Sequence, residues 1–228
     1  MASNASNPRS ARELRRDLPA GRRERSYAVG ILVFLLSASI YAVTFVLTFW
    51  PTWPLLNLAS ALANGGVIGL LFNIGHDACH GSFTHSAVLN RLLARLAFLP
   101  ALQPYTSWVY THNGLHHGWT NLKGKDVVFA PLTLAEYQTQ PRWRQRLERT
   151  YRTFLGLGLM HLVEVWWKFE LFPPPGHQPK NRWAFHADRL LVLGFLVLKI
   201  ALAVALAQQT GVGPGGALLH AGLGLLLS

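Results

Sequence analysis

Residues 26–80 read SYAVGILVFLLSASIYAVTFVLTFW, then PTWP, then LLNLASALANGGVIGLLFNIG, then HDACH, and this stretch decides the fold. From Ser26 to Trp50 no side chain is charged over 25 residues. At about 1.5 Å per residue such a helix crosses a hydrocarbon core of roughly 30 Å. Leu55 to Gly75 is a second uncharged run, of 21 residues. Only Pro51-Thr52-Trp53-Pro54 separates the two; the prolines break the helix, and Trp50 and Trp53 suit a membrane–water interface. The expectation is a tight transmembrane hairpin with a histidine cluster just beyond its second arm.

Charge supports a membrane protein and argues against nucleic acid. Half of the 228 residues are hydrophobic and 14% are charged, where a soluble domain carries about 25%. The formal charge of +11 is distributed by topology. Seven of the 21 Lys and Arg lie in residues 1–25 and thirteen between His76 and Arg189, with none from Ser26 to Gly75 or after Lys199. The positive-inside rule then places a basic leader (1–25) and residues 76–189 on the cytosolic side. The first apolar run is too long for a cleaved signal peptide and is expected to stay as a span. The lone Cys79 excludes an intrachain disulfide and fits a reducing compartment.

Further along, Ala87 to Leu99 reads as an amphipathic helix, with Leu89, Leu92, Leu93, Leu96 and Leu99 on one face and Arg91 and Arg95 opposite. It can lie in the headgroup plane or pack on the protein. Arg142, Arg146 and Arg149 recur at helical spacing beside Trp143, either as a solvated face or as a docking patch for lipid or an electron donor. Leu155 to Trp167 is apolar but holds His161 and Glu164, an interfacial pattern, and Pro173-Pro174-Pro175-Gly176 breaks the chain. A third span is expected over about 190–207, its Lys199 snorkelling or marking a shifted helix. A fourth apolar segment, 215–228, is too short to span and gives the chain a cut-off look. The fold class expected is an all-α polytopic membrane protein: transmembrane hairpins under a cytosolic cap that holds the histidines, in one membrane domain over 26–228.

The histidines carry the chemistry. His76 and His80 are four apart, as are His112 and His116, and on an α-helix that spacing puts both rings on one face. His117 lies about 100° further round, placed for a neighbouring ion. Two such blocks on one side of a membrane point to a transition-metal site. Asp77 either orients a ligand imidazole or ends the helix, and Cys79 points away from the histidine face. His85, His161, His177, His186 and His220 read as structural, with His161 or His186 as the alternative auxiliary ligand.

The chain resembles the membrane fatty-acid desaturases, in particular acyl-lipid enzymes of the delta-12/omega-6 type. The resemblance rests on Gly75-His76-Asp77-Ala78-Cys79-His80-Gly81-Ser82-Phe83, Leu96-Ala97-Phe98-Leu99-Pro100, Pro104-Tyr105, His112 to His117 and Thr120-Asn121. It implies a centre of two non-haem iron ions, with O2 as co-substrate, held at the cytosolic face. Carried onto this chain, the metal ligands are His76, His80, His112, His116 and His117, with Asp77 and Asn121 as supporting residues. It implies an acyl-lipid substrate in the bilayer and an external electron donor, a ferredoxin or a cytochrome b5-type protein, because the chain has no flavin fingerprint and no cysteine cluster. The Arg-rich, Lys-poor composition is that of a GC-rich bacterial genome, which makes a bacterial inner membrane the expected location.

The chain departs from that family in one respect. A third histidine box should follow the fourth span, and after His186 only His220 remains. The expectation is an incomplete centre and no activity from this chain alone. Three rivals stand beside this reading. His76-Asp77-Ala78-Cys79-His80 is close to the H-E-x-x-H of zinc hydrolases, with Asp77 as the base. A bis-histidine haem protein is a second rival. Related membrane hydroxylases and ketolases, which use similar boxes, are the third.

Overall fold

The computed structural model describes Asp17 and residues 26–50, 53–128, 131–153, 156–209, 211, 213, 215–216 and 218–220. All regular structure among them is helical: α1 (Tyr27–Phe49), α2 (Pro54–Cys79), α3 (Ala87–Phe98), α4 (Tyr105–Trp108), π1 (Val109–His116), α5 (His117–Trp119), α6 (Leu134–Thr139), α7 (Arg142–Tyr151), α8 (Gly156–Met160), π2 (His161–Leu171) and α9 (Arg182–Gln208). The leader, apart from Asp17, and the end of the fourth apolar segment lie outside the described residues.

Three helices, α1, α2 and α9, are long and apolar enough to cross a membrane. The α1–α2 hairpin forms as its sequence dictates. Ser26 caps α1 by accepting from the Val29 amide, and Pro54, which needs no amide partner, occupies the first turn of α2. The few polar side chains in these helices bind the two arms together. Asn57 Nδ2 donates to the Leu47 carbonyl at 3.0 Å, and the buried Asn64 Nδ2 donates to the Tyr41 carbonyl and Thr44 Oγ1 at 3.0 and 2.9 Å. Where lipid offers no partner, such bonds fix which faces meet. α9 packs on α1 through Ala203 and Ala207, whose small side chains admit Phe45 and Phe49.

The second and third spans extend beyond the expected limits. α2 runs on through Cys79, so His76 rides on the last turn of a membrane-length helix. α9 starts at Arg182, eight residues before Leu190, because Asn181 caps it by accepting from the Ala184 amide. Lys199 neither snorkels nor faces lipid: it lies buried against the protein. His220, expected to pack or sit at an interface, has its ring 6.2 Å from that of Phe49.

α3 corrects the reading of its own polarity. Its buried side is Asn90, Leu93, Ala94, Ala97 and Phe98, while Leu92 and Leu96 are exposed. The small residues face inward because α2 approaches closely. A Cβ on Gly75 would lie 2.5 Å from the ring of the fully buried Phe98. Gly75→Ala is therefore expected to cost about 1–3 kcal/mol by overpacking and to lower the melting temperature in detergent. Pairing it with Phe98→Leu should recover part of that loss.

Two further contacts dock the remaining helices. The buried Asp188 of α9 accepts from Arg95 Nε at 2.8 Å, from the Thr106 amide at 2.9 Å and from the Thr106 hydroxyl, tying α3, α4 and α9 together. On π2, Trp166 Nε1 donates to the Leu102 carbonyl and the Glu170 carbonyl accepts from Ser107 Oγ, each at 2.7 Å. These bonds fix α4, which leads into the second histidine block, against α3, π2 and α9, and Asn113 Nδ2 of π1 donates to the Cys79 carbonyl at the end of α2 at 3.2 Å.

Candidate metal centre

The end of α2 and the run α4–π1–α5 bring the two histidine blocks face to face. His112 Nε2 lies 3.0 Å from His76 Nε2 and 3.1 Å from His117 Nε2. The His80 ring is 4.6 Å from that of His76 and 4.9 Å from that of His117, centroid to centroid. One ring nitrogen from each of His76, His80, His112 and His117 falls within 4.8 Å of all the others, and among the described residues no other His, Cys, Asp or Glu group does this. His161 and His186 stand outside it, as does Cys79.

The second block departs from α-helical geometry, and that departure decides which ring nitrogens converge. Val109–His116 is a π-helix, in which the His117 amide donates to the carbonyl of His112, five residues back. The wider turn brings residues five apart together, so His112 Nε2 meets His117 Nε2 at 3.1 Å. The His112 and His116 rings still stack, at 5.3 Å, as their spacing of four predicts, but the nitrogen that meets His112 Nε2 is that of His117. Such wide turns cluster at functional sites. His112 is seated by Trp108, whose ring stacks on it at 4.4 Å and 14°.

His116 turns instead toward a residue that the sequence reading missed. Its Nδ1 lies 3.0 and 3.1 Å from the two oxygens of Asp126, whose side chain is wholly buried. Asp126 also accepts from the amides of Asn121 at 2.8 Å and Val128 at 2.9 Å. Burial alone would raise this carboxyl; the two amides and the His116 ring outweigh it and hold it below its ordinary range. Asn121 contributes its backbone, in the left-handed region at φ 62°. The available signal was the turn: Asn121 and Gly124, both with positive φ, flank a hairpin that returns an acid to the histidine helix.

The donor set suits a transition ion. His112, the most enclosed of the four, is pushed down to about 3 by burial and then by the neighbouring imidazoles. His80 is lowered for the same reasons. Neutral imidazoles present lone pairs without a proton to expel. A ring nitrogen carries either a proton or a lone pair, so His112 Nε2 cannot bond well to both neighbours at once, whereas one cation can accept from all. Nitrogens about 2.1 Å from a single ion at right angles stand about 3.0 Å apart, the spacing found here. Asp77 Oδ1 lies 3.3 Å from His76 Nδ1, behind the ring, away from the converging nitrogens. That is a place for an orienting carboxylate rather than for a base facing the converging nitrogens. Ring nitrogens 3.0 Å apart also leave no gap for a haem macrocycle between them.

Membrane-length helices ending in a polyhistidine cluster define a membrane protein with a group that could hold a metal ion. The chain belongs to the fatty acid desaturase family, whose family model matches residues 51–226. It is 31% identical over 176 residues to an sn-1 oleoyl-lipid 12-desaturase of Picosynechococcus, covering 76% of this chain and 46% of the relative. It is 31% identical over 134 residues to a chloroplastic omega-6 fatty acid desaturase of Spinacia oleracea, covering 58% and 29%. With the sn-1 acyl-lipid omega-3 desaturase (ferredoxin) of Synechocystis it shares 32% over 148 residues, covering 63% and 40%. The matched part thus spans less than half the length of each of these relatives. No solved structure matches.

Proposed function

We propose that the protein these residues belong to introduces a double bond into a fatty-acyl chain of a membrane lipid, at a histidine-held di-iron centre on the cytosolic side. The observation that carries this reading is the convergence of His76, His80, His112 and His117 at the end of α2. It is supported by relatives named as acyl-lipid desaturases. Iron bound there would supply, with O2 and external electrons, the oxidant that an unactivated methylene pair requires. His76, His80, His112 and His117 would hold metal through the ring nitrogens described, with His116 as a fifth ligand toward a second ion. Asp77 holds the His76 ring from behind, and Trp108 keeps His112 in plane.

The ferredoxin in the name of the Synechocystis relative makes a small reduced carrier protein the electron source to test first. The relatives' names place the new double bond differently, so the reading stops at acyl-lipid desaturation. Two ions at roughly four ligands each ask for more donors than five imidazoles. These 228 residues alone are accordingly expected to bind metal and leave host lipids unchanged.

Expressing the whole reading frame in a bacterial host, with gas chromatography of its lipid methyl esters, tests the proposal. New unsaturated esters together with iron in the purified protein are expected. An inserted hydroxyl or keto oxygen would transfer the chain to the hydroxylase or ketolase chemistry of the same superfamily. Zinc without iron would sink the reading altogether.

A further inference from the structure

We propose that Asp126 is a positioning residue for the metal centre: its carboxylate fixes His116 as the Nδ1–H tautomer and so commits the opposite nitrogen, Nε2, to a metal ion. The inference rests on the reading of the histidine cluster as a metal site.

Three observations carry it. His116 is the one box histidine left out of the four-nitrogen cluster, although it lies between members of that cluster in sequence and its ring stacks on His112 at 5.3 Å. It is held from behind by both oxygens of a side chain with no exposure, a costly placement for a carboxylate that exists only to close a loop. That carboxylate is itself fixed by two backbone donors, from Asn121 and Val128, on either side of it. A neutral imidazole facing a carboxylate through Nδ1 carries its proton there, which leaves Nε2 bare. A ring locked in that state, beside a cluster that uses other nitrogens, is prepared to serve a position adjacent to the four-histidine group. Nothing in the motif spacing points to Asp126, because it reaches the helix by a turn ten residues after His116.

The first measurement is the tautomer of His116 in the unaltered protein, read from nitrogen-15 shifts of histidine-labelled chain in detergent without metal. The Nδ1–H form is expected; the Nε2–H form would overturn the proposal. The second is Co2+ titration, followed by visible absorption, of the wild type, Asp126→Asn, His116→Ala and the double variant. Loss of a carboxylate behind a ligand histidine typically weakens metal binding about 10- to 100-fold, and that loss is expected for Asp126→Asn at the weaker of two Co2+ steps. In the His116→Ala background Asp126→Asn should add nothing, because its effect passes through that ring. A merely structural carboxylate would instead give additive losses and leave the cobalt spectrum unchanged, which also overturns the proposal. If the wild type takes up Co2+ and His112→Ala does not, while Asp126→Asn matches the wild type, this inference alone fails. If the wild type takes up none, the metal reading fails and this inference falls with it.

Discussion

Replacing His112 by alanine is expected to remove the metal and, in the whole protein, all unsaturated product, while the membrane-embedded fold survives. His112 is the hub of the cluster. Its Nε2 is the atom that both His76 Nε2 and His117 Nε2 approach, at 3.0 and 3.1 Å, so its loss removes both of these close nitrogen–nitrogen approaches at once. His76, His80 and His117 would still lie within 4.8 Å of one another, but without the nitrogen that approaches both helices most closely. A fall of at least about 100-fold in metal affinity is the scale expected when a ligand of this kind is removed, since even supporting residues account for 10- to 100-fold. His85→Ala is the matched control: that ring packs on Tyr27 at 5.7 Å, outside the cluster, and its removal should leave metal content unchanged. Helical circular dichroism and metal analysis on both variants check the expectation. Equal iron in His112→Ala and wild type would refute the assignment of His112.

The hairpin was legible because it is written in an absence: 25 and 21 residues without charge, with prolines between, admit little else. The third span was legible for the same reason, but its start was not. Asp188 and Arg189 look like the end of a soluble loop until Arg95 and Thr106 are seen to take the Asp188 carboxylate. In α3 the leucines drew the eye to one face, while close approach to Gly75 selects the small residues for the buried side. Four of the five box histidines come together as the motifs imply, yet the pairing within the second block did not follow from spacing, because the hydrogen-bonding register is five residues and not four. Long-range partners left the weakest trace of all. Asp126 meets His116 through a turn, and Arg144, next to an exposed basic row, is drawn to Glu148 and Glu164 at 2.7 and 2.6 Å. Polarity patterns report which face a residue takes; they carry no record of the partner across a loop.

Glu170→Gln is expected to abolish a loss of stability that the wild type suffers as pH rises. The Glu170 side chain is completely buried on π2, with Gln103 Nε2 donating to one oxygen and Thr111 Oγ1, at 3.3 Å, to the other. Ser107 occupies its backbone carbonyl, and no cation accompanies it among the contacts of this group. Burial therefore dominates over the two neutral donors and raises the carboxyl from 4.5 to about 7. An acid raised in this way favours the fold while both states are protonated. Above about 4.5 the unfolded chain releases the proton and the folded one retains it, so stability falls as pH rises, at about 1.4 kcal/mol per unit. The fall ends near 7, where the folded state also ionises, after a total of about 3 kcal/mol. Melting of detergent-solubilised, chelator-treated protein at pH 5, 6, 7 and 8 measures it. Wild type and Glu170→Gln should melt together near pH 5 and diverge above it, with the variant the more stable at pH 8, because glutamine has no proton to lose: its one carbonyl oxygen accepts from Gln103 Nε2 and its amide donates to Thr111 Oγ1, whose own proton goes to the Ser107 carbonyl. Curves that stay parallel would mean that Glu170 is ionised throughout. Glu170→Ala separates packing from charge: it takes the carboxyl away from Gln103 Nε2 and Thr111 Oγ1 and opens a cavity, so it should destabilise at every pH by about 2–4 kcal/mol. Thr111, one of the two residues whose side chains contact the Glu170 carboxyl, immediately precedes His112. A metal centre that weakens in Glu170→Ala but not in Glu170→Gln would therefore trace the seating of His112 to the hydrogen bonds behind π1.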